Sequence, residues 1–290
     1  MKKILITGAT GNMGQETIRE LLKINNENLE IIAGVRNIAK AKKELSKFAG
    51  VKFRKFDFMD NQSMEISLNG INQVLLIRPP AISQVKEYIL PFIKMVKMNA
   101  VEQIVFLSLQ GVEKNPIVPH YKIEKYIKEA DIPYTFLRPS FFMQNLSTTH
   151  RLEIKENNEI FIPAGNGRTN FIDVRDIAEV AALVLTQKGH LNKGYELTGR
   201  RGYTYEEIAN MLSVILGRKI TYKNPSILEF FYRKRKEGMA TAKIIVMIGL
   251  YTVSKLGKAN HKTETLKQLI YREPRDFRTF AQDNKNIWSN

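Results

Sequence analysis

The chain has 290 residues, 43% of them apolar and 26% charged, with 45 Lys plus Arg against 29 Asp plus Glu, a formal charge of +16, and no cysteine. That length can bury a large core, and the composition excludes disorder and collagen-like repeats. The missing cysteines exclude disulfides, thiolate zinc sites, iron-sulfur clusters and thiol nucleophiles. The four histidines, His120, His150, His190 and His261, have no ligand spacing, so no catalytic metal is expected.

The first residues, MKKILITGAT, hold an apolar run too short for a signal-peptide core. The longest apolar stretch, Ile244 to Val253 between Lys243 and Lys255, falls well below the roughly 18 to 20 residues that span a bilayer. A cytoplasmic location is therefore expected. Strands are predicted at Lys3–Thr7, Glu30–Val35, Val51–Phe56, Gln73–Ile77, Gln103–Ser108 and Tyr134–Arg138, where β-branched runs occur. Helices are predicted between them, at Met13–Leu22, Ile38–Phe48, Asn61–Leu68, Ala81–Met98 and Tyr121–Ala130. Strands that alternate with helices in this way make an α/β fold, a doubly wound parallel sheet of the Rossmann type.

After Pro139 the rhythm changes. Phe141–His150 reads as helix, Ile160–Pro163 as a short strand, Gly165–Gly167 as a turn, Val174–Thr186 as helix and Tyr195–Thr198 as strand. Thr204 and Glu207 form a capping box that opens another helix, and Pro225–Asn290 reads as mostly helical. The expected organisation is a dinucleotide-binding domain over 1–140, with the chain returning to it around 168–198. A smaller, mostly helical substrate-binding region is expected over 141–167 and 199–290.

The sharpest chemical signal is Gly8-Ala9-Thr10-Gly11-Asn12-Met13-Gly14 between the first strand and the first helix. Glycines there tighten the turn and let backbone approach a pyrophosphate, which the free N–H groups of the helix start then stabilise. At the end of the second strand an NAD site would place Asp or Glu on the ribose hydroxyls. This chain has Arg36, followed by Lys40, Lys42 and Lys43. An arginine can clamp a 2′-phosphate with paired donors, which favours NADPH and leaves NADH as the alternative. Asp57 and Phe58, after the third strand, are placed to reach the adenine with a carboxylate and a backbone N–H. Leu76, Ile77 and Arg78 end the fourth strand beside the nicotinamide ribose, and Arg78 suits either a phosphate, a substrate acid or a surface role.

Ser108, at the end of the fifth strand, belongs with the cofactor-binding set and can polarise a carbonyl. Tyr121 and Lys125 share one helical face, so the lysine can lower the phenol pKa and make Tyr121 a proton donor. This is the Ser, Tyr-x-x-x-Lys set of short-chain dehydrogenases, in a helix that also carries Lys122 and Lys128.

Taken together, these residues resemble the NmrA-like group of atypical short-chain dehydrogenase/reductase proteins, above all its bacterial NADPH:quinone reductases and triphenylmethane reductase. The resemblance rests on Ile6–Gly14, Val35-Arg36-Asn37 with Lys40-Ala41-Lys42, Val74–Ile77, Ile132–Pro139 and Phe142–Asn145. It extends through Pro163–Gly167, Asp176-Ile177-Ala178, Gly194–Gly199 and Thr265–Ile270, and so covers nearly the whole chain. It implies NADPH held by Gly8 to Met13, by Arg36 at the 2′-phosphate and by the Leu76-Ile77-Arg78 turn, with an acceptor pocket formed by Ser140, Phe141, Phe142 and Asn145. It also implies that the helix begins His-x-x-x-Glu, matching His120 and Glu124, one residue before Tyr121 and Lys125. The expected activity is NADPH-dependent hydride transfer to a quinone or similar flat acceptor. The alternatives are a cofactor sensor without catalysis, which the group also contains, and a dehydrogenase or epimerase using Ser108, Tyr121 and Lys125. A small-molecule acceptor and a homodimer are the expected partners, and nucleic acid is not.

Residues Val214 to Arg275 hold 14 Lys plus Arg and 4 Asp plus Glu, a net of +10, including Arg233-Lys234-Arg235-Lys236. Such a segment can attract nucleic acid, an anionic membrane surface or acidic partners, and the neighbouring apolar run even suggests an interfacial helix. The favoured reading is that the apolar run packs over the substrate pocket while the basic residues form its solvated side. The tetrad has no interleaved aromatics, although Phe230, Phe231 and Tyr232 precede it, and it matches no nucleic-acid module.

Overall fold

A computed structural model describes residues 1–289. The chain forms two compact units, one of residues 1–139 with 174–197 and the other of residues 140–173 with 198 onward.

In the first unit β1 (Lys2–Thr7), α1 (Asn12–Lys23), β2 (Leu29–Val35), α2 (Ile38–Glu44), β3 (Lys52–Lys55), α3 (Asn61–Leu68), β4 (Gln73–Leu76), α4 (Val85–Met98), β5 (Gln103–Leu107), α5 (Pro119–Glu129) and β6 (Tyr134–Pro139) follow in chain order. The chain then re-enters as the helix Val174–Thr186 and the strand Lys193–Leu197. The sheet order is Lys193–Leu197, β6, β5, β4, β1, β2, β3, with every neighbouring pair parallel. Order therefore reverses between β1 and β4, and right-handed crossovers put α1 and α2 on one face and α3, α4 and α5 on the other. Crossover helices cover both faces, so the central strands are near-continuous apolar runs: Ile4, Leu5, Ile6, Val74, Leu75 and Leu76 are fully buried. Phe56, Phe58 and Phe92 pack edge to face, with centroids 4.7 to 5.6 Å apart, and fill the end of the core under α4.

The second unit carries a three-stranded sheet of Phe141–Phe142, Thr169–Ile172 and Gly202–Tyr203, and a parallel pair of Glu159–Phe161 with Thr221–Lys223. Its core is aromatic, built on Phe171, Tyr205, Phe230, Phe277, Phe280 and Trp288. The capping box is present at Thr204 and Glu207, opening the helix Tyr205–Leu216. Helices at Ile227–Lys236, Thr241–Lys255, Thr265–Ile270, Phe277–Asp283 and Lys285–Trp288 make the C-terminal part mostly helical; Asn290 lies outside the described residues.

Phe141–His150 is not one helix. Phe141 and Phe142 pair with Phe171 and Ile172 as strand, and only Gln144–Ser147 is helical before Arg151–Glu156. Consecutive aromatics next to a free strand edge gain a ladder there, which outweighs a weak helical period.

The basic tetrad is only half solvated: Arg235 and Lys236 are exposed, whereas Arg233 and Lys234 turn inward. Lys234 is 1% exposed and pairs with Glu153 and with Glu237, the latter at 2.7 Å, while Arg233 pairs with Glu159 at 2.5 Å and lies over the Phe161 ring at 4.2 Å. Glu153 also meets His150 Nδ1 at 3.0 Å, and His150 Nε2 lies 2.5 Å from the Tyr251 hydroxyl. Burial, then Lys234, pushes the His150 pKa down to about 3. Glu237 is a helical neighbour, but Glu153, 81 residues before Lys234, and Glu159 lie outside the segment, so local charge counting does not find them.

Candidate functional site

The turn after β1 is built to exclude side chains. Gly8 has φ +62°, a left-handed conformation that favours glycine, and a Cβ there would sit 3.2 Å from Ile77 Cγ2. At Gly14 a Cβ would lie 2.5 Å from the Gly8 carbonyl oxygen and 2.6 Å from Ala9 Cα, which no side chain tolerates. The Gly11 N–H donates to the Gly8 carbonyl at 3.0 Å and Gln15 Nε2 donates to the Thr10 carbonyl at 2.9 Å, which closes the turn. Ala9, Met13 and Gly14 are buried, while Gly11 and Asn12 are exposed at the start of α1. That helix has no side-chain cap and no acidic residue in its first turn. Its first N–H groups are therefore left to a ligand, and the dipole favours an anion.

Across the switch point, Thr7 Oγ1 accepts from the Ile77 N–H at 2.8 Å and lies 3.1 Å from the Ile77 carbonyl oxygen. This hydroxyl ties the end of β1 to the turn after β4, so the two loops that flank the crevice hold a fixed spacing. Sequence reasoning missed Thr7; a small hydroxyl residue ending the strand before a glycine turn is the available signal.

Arg36 is exposed at the end of β2 with no ion-pair partner among the described residues, while the following Asn37 caps α2 by accepting from the Lys40 N–H at 2.9 Å. Its guanidinium is thus free to meet a phosphate. Lys40 pairs with Glu44 at 3.7 Å, and Lys42 and Lys43 are exposed. The Asp57 carboxylate accepts from the Met59 N–H at 3.1 Å in its own turn. The Phe58 ring is buried in the aromatic core, so only the backbone of that residue is open to a ligand.

Leu76 is fully buried, and Arg78 folds back on its own turn, with Nη1 donating to the carbonyls of Pro79, Pro80 and Ile82 at 2.9, 3.3 and 2.5 Å. Its Nε is buried without a partner. The His120 ring stacks on Phe106, centroid to centroid 5.9 Å, and Phe106 is the register partner of Leu76, two residues before Arg78. His120 Nδ1 is also buried without a partner. Burial, then the Arg78 charge, pushes the His120 pKa down to about 3, so the imidazole is neutral at pH 7. A buried N–H and a buried imidazole nitrogen without partners are costly. A sugar hydroxyl, which both accepts and donates, can answer the Arg78 Nε–H and either tautomer of His120.

Ser108 is not assembled with Tyr121 and Lys125. Its hydroxyl donates to Glu124 Oε1 at 2.6 Å, and Glu124 receives Arg138 through Nε at 3.0 Å and Nη2 at 2.7 Å. Arg138 further pairs with Glu113. Glu124 and Arg138 are 4% and 7% exposed. Lys125 is exposed and pairs with Glu129 at 3.6 Å. Tyr121, Lys122, Lys125 and Tyr126 instead line an open hollow of about 920 Å³ with residues of the α4 start. Arg138, a charge at the end of an otherwise apolar strand, is the signal that sequence reading passed over.

In the second unit Ser140 Oγ donates to Asn170 Oδ1 at 3.0 Å, and Asn170 Oδ1 also accepts from the Gly199 N–H at 2.7 Å. Phe141 packs on the apolar core of that unit; Phe142 is half-buried and Asn145 exposed.

Among solved structures, the chain is similar to Citrobacter sp. triphenylmethane reductase complexed with NADP(H), at 28% identity and TM-score 0.84, covering 96% of this chain and 99% of that one. It is similar to the NADPH-dependent quinone oxidoreductase of Escherichia coli complexed with NADPH, at 27% identity and TM-score 0.86, over 98% and 99%. A curated relative, the NAD(P)H azoreductase of Xenophilus azovorans, is 29% identical over 96% of each chain. The model of the NmrA-like family matches residues 1–280, and this chain belongs to that family.

Proposed function

We propose that this protein is an NADPH-dependent reductase that delivers hydride to a quinone or a similar flat acceptor. At the coarser level it is an NAD(P)H-dependent oxidoreductase of the atypical short-chain type, like its relatives named azoreductase and quinone oxidoreductase 2. The observation that carries the reading is the Gly8–Gly14 turn, where Gly8 takes a left-handed φ, backbone fills the space of a Cβ at Gly14, and the helix start lacks its own cap.

The residues present fit the cofactor. Gly8 to Met13 receive the pyrophosphate, Arg36 the 2′-phosphate, and Asp57 with the Phe58 backbone the adenine. Arg78 and His120 receive a hydroxyl of the nicotinamide ribose, which pairs the two orphaned atoms. The dinucleotide, when bound, supplies the hydride. Ser140, Phe141, Phe142 and Asn145 are assigned to the acceptor, the half-buried Phe142 offering a ring face for stacking.

No strong acid is required of the chain. The Ser108 hydroxyl is committed to a carboxylate, His120 is neutral, and the reduced oxygens of a quinone take protons from water. Orientation of the acceptor then supplies most of the acceleration. The test is loss of NADPH on mixing purified protein with a panel of benzoquinones and naphthoquinones. Turnover above the uncatalysed rate supports the reading; cofactor binding without turnover across the panel assigns the chain to sensing instead.

A further inference from the structure

The helix Thr241–Lys255 shows two apolar faces. One, through Ile244, Met247, Tyr251 and Ser254, is buried in the core of the second unit. The other carries Ala242, Ile245, Val246, Gly249, Leu250 and Val253, at the spacing of a helical stripe, and all six are exposed; Leu256 extends the stripe past the last turn. Ile245 and Val246 are 59% and 61% exposed. A contiguous stripe of this kind on a water-soluble surface is a contact surface rather than scattered exposure.

Its charge frame points to one occupant. From Gly238 to Thr263 there is no Asp or Glu, while Lys243, Lys255, Lys258 and Lys262 are present and exposed or half-exposed. Lys243 lies at the edge of the stripe, where its long stem can follow the apolar boundary with the ammonium group in headgroup water, whereas the stem of Lys255 packs beside Gly165 on the other side of the helix. Two copies pairing through this helix would bring lysines together with no carboxylate on either helix to meet them. The stripe also offers only roughly 500 Å², below the about 800 Å² per partner of a stable protein interface. An anionic lipid surface has neither problem: it takes a shallow apolar face and attracts its basic rim.

We infer that the Thr241–Lys255 face docks the protein on anionic membrane surfaces. This inference does not depend on the cofactor reading, and it replaces the view of the segment as fully packed. The experiment is co-sedimentation of the full chain with vesicles of phosphatidylcholine alone and of phosphatidylcholine mixed equally with phosphatidylglycerol. Binding is expected only to the mixed vesicles, and near-molar salt should weaken it. Lys243→Gln should lower the partition coefficient about five-fold. Ile245→Gln with Val246→Gln should abolish binding while leaving the melting temperature and NADPH affinity unchanged. Absence of sedimentation with the mixed vesicles overturns the inference, as does binding that is indifferent to the glutamine variants. A dimer in solution that the same glutamine variants dissociate would give the face to a second copy and also overturn it.

Discussion

Glu124→Gln separates a structural carboxylate from a catalytic one, since Glu124 stands in the helical frame that the family resemblance marks. Glutamine keeps the volume and one acceptor, which can serve Ser108. Its amide nitrogen, in the place of Oε2, would turn a donor toward Arg138 Nη2 at 2.7 Å. Arg138, 7% exposed, would keep its Nε bond to the remaining amide oxygen, now uncharged, and its pairing with Glu113, whose side chain is 56% exposed and therefore water-screened. Removing one partner of a buried pair costs about 3 to 5 kcal/mol, and the surviving contacts reduce this to roughly 2 to 4 kcal/mol. For a chain of this size that is a fall in melting temperature of about 5 °C, with an unfolding entropy of about 2 cal/mol/K per residue. The assay is thermal and urea unfolding by circular dichroism, beside turnover measured well below the new midpoint. An unchanged melting temperature, or lost turnover in a protein of undiminished stability, would refute the structural role.

Arg36→Ala should weaken NADPH by about ten- to hundred-fold, the loss of charge-assisted hydrogen bonds, and leave NADH nearly unaffected; equal losses in a fluorescence titration would contradict the phosphate role. Tyr121→Phe should leave kcat/KM within about two-fold, because Tyr121 lines the open hollow on the α4 and α5 side and is not bonded to Ser108 or Lys125; a drop of a hundred-fold would restore the tyrosine mechanism. Stability should fall on mild acidification. His120 and His150 are held near 3 in the fold and titrate near 6.5 when unfolded. Above pH 6.5 both states are neutral and the shift has no effect. Below it the unfolded chain takes up protons that the folded one refuses, and stability declines until pH approaches 3. At pH 5 this amounts to about 2 kcal/mol per histidine. Urea midpoints that stay level between pH 7 and pH 5 would contradict the burial of both rings.

The first unit was legible because its strands are short apolar runs separated by amphipathic helices, and each of the six predicted strands lies within a residue or two of its observed bounds. The glycine turn was legible because Gly8 answers to its own left-handed φ and Gly14 to the backbone of Gly8 and Ala9. What the sequence hid depends on distant partners. Arg138 finds Glu113 and Glu124, Lys234 finds Glu153, and Phe141 and Phe142 find the edge of Thr169–Ile172; none of these has a local period. The spacing of Tyr121 and Lys125 on one helix was equally local, but the bonds of Ser108 to Glu124 and of Lys125 to Glu129 are partners that this spacing does not indicate.

The central claim is direct hydride delivery from bound NADPH to a quinone. A single-turnover reaction of the enzyme, loaded with NADPH or with its form deuterated at the transferring position of C4, tests it most directly. Rapid NADPH loss on adding a benzoquinone, slowed several-fold by the deuterium, is the predicted result. No quinone-dependent loss, or loss at the same rate with either isotope, would contradict it.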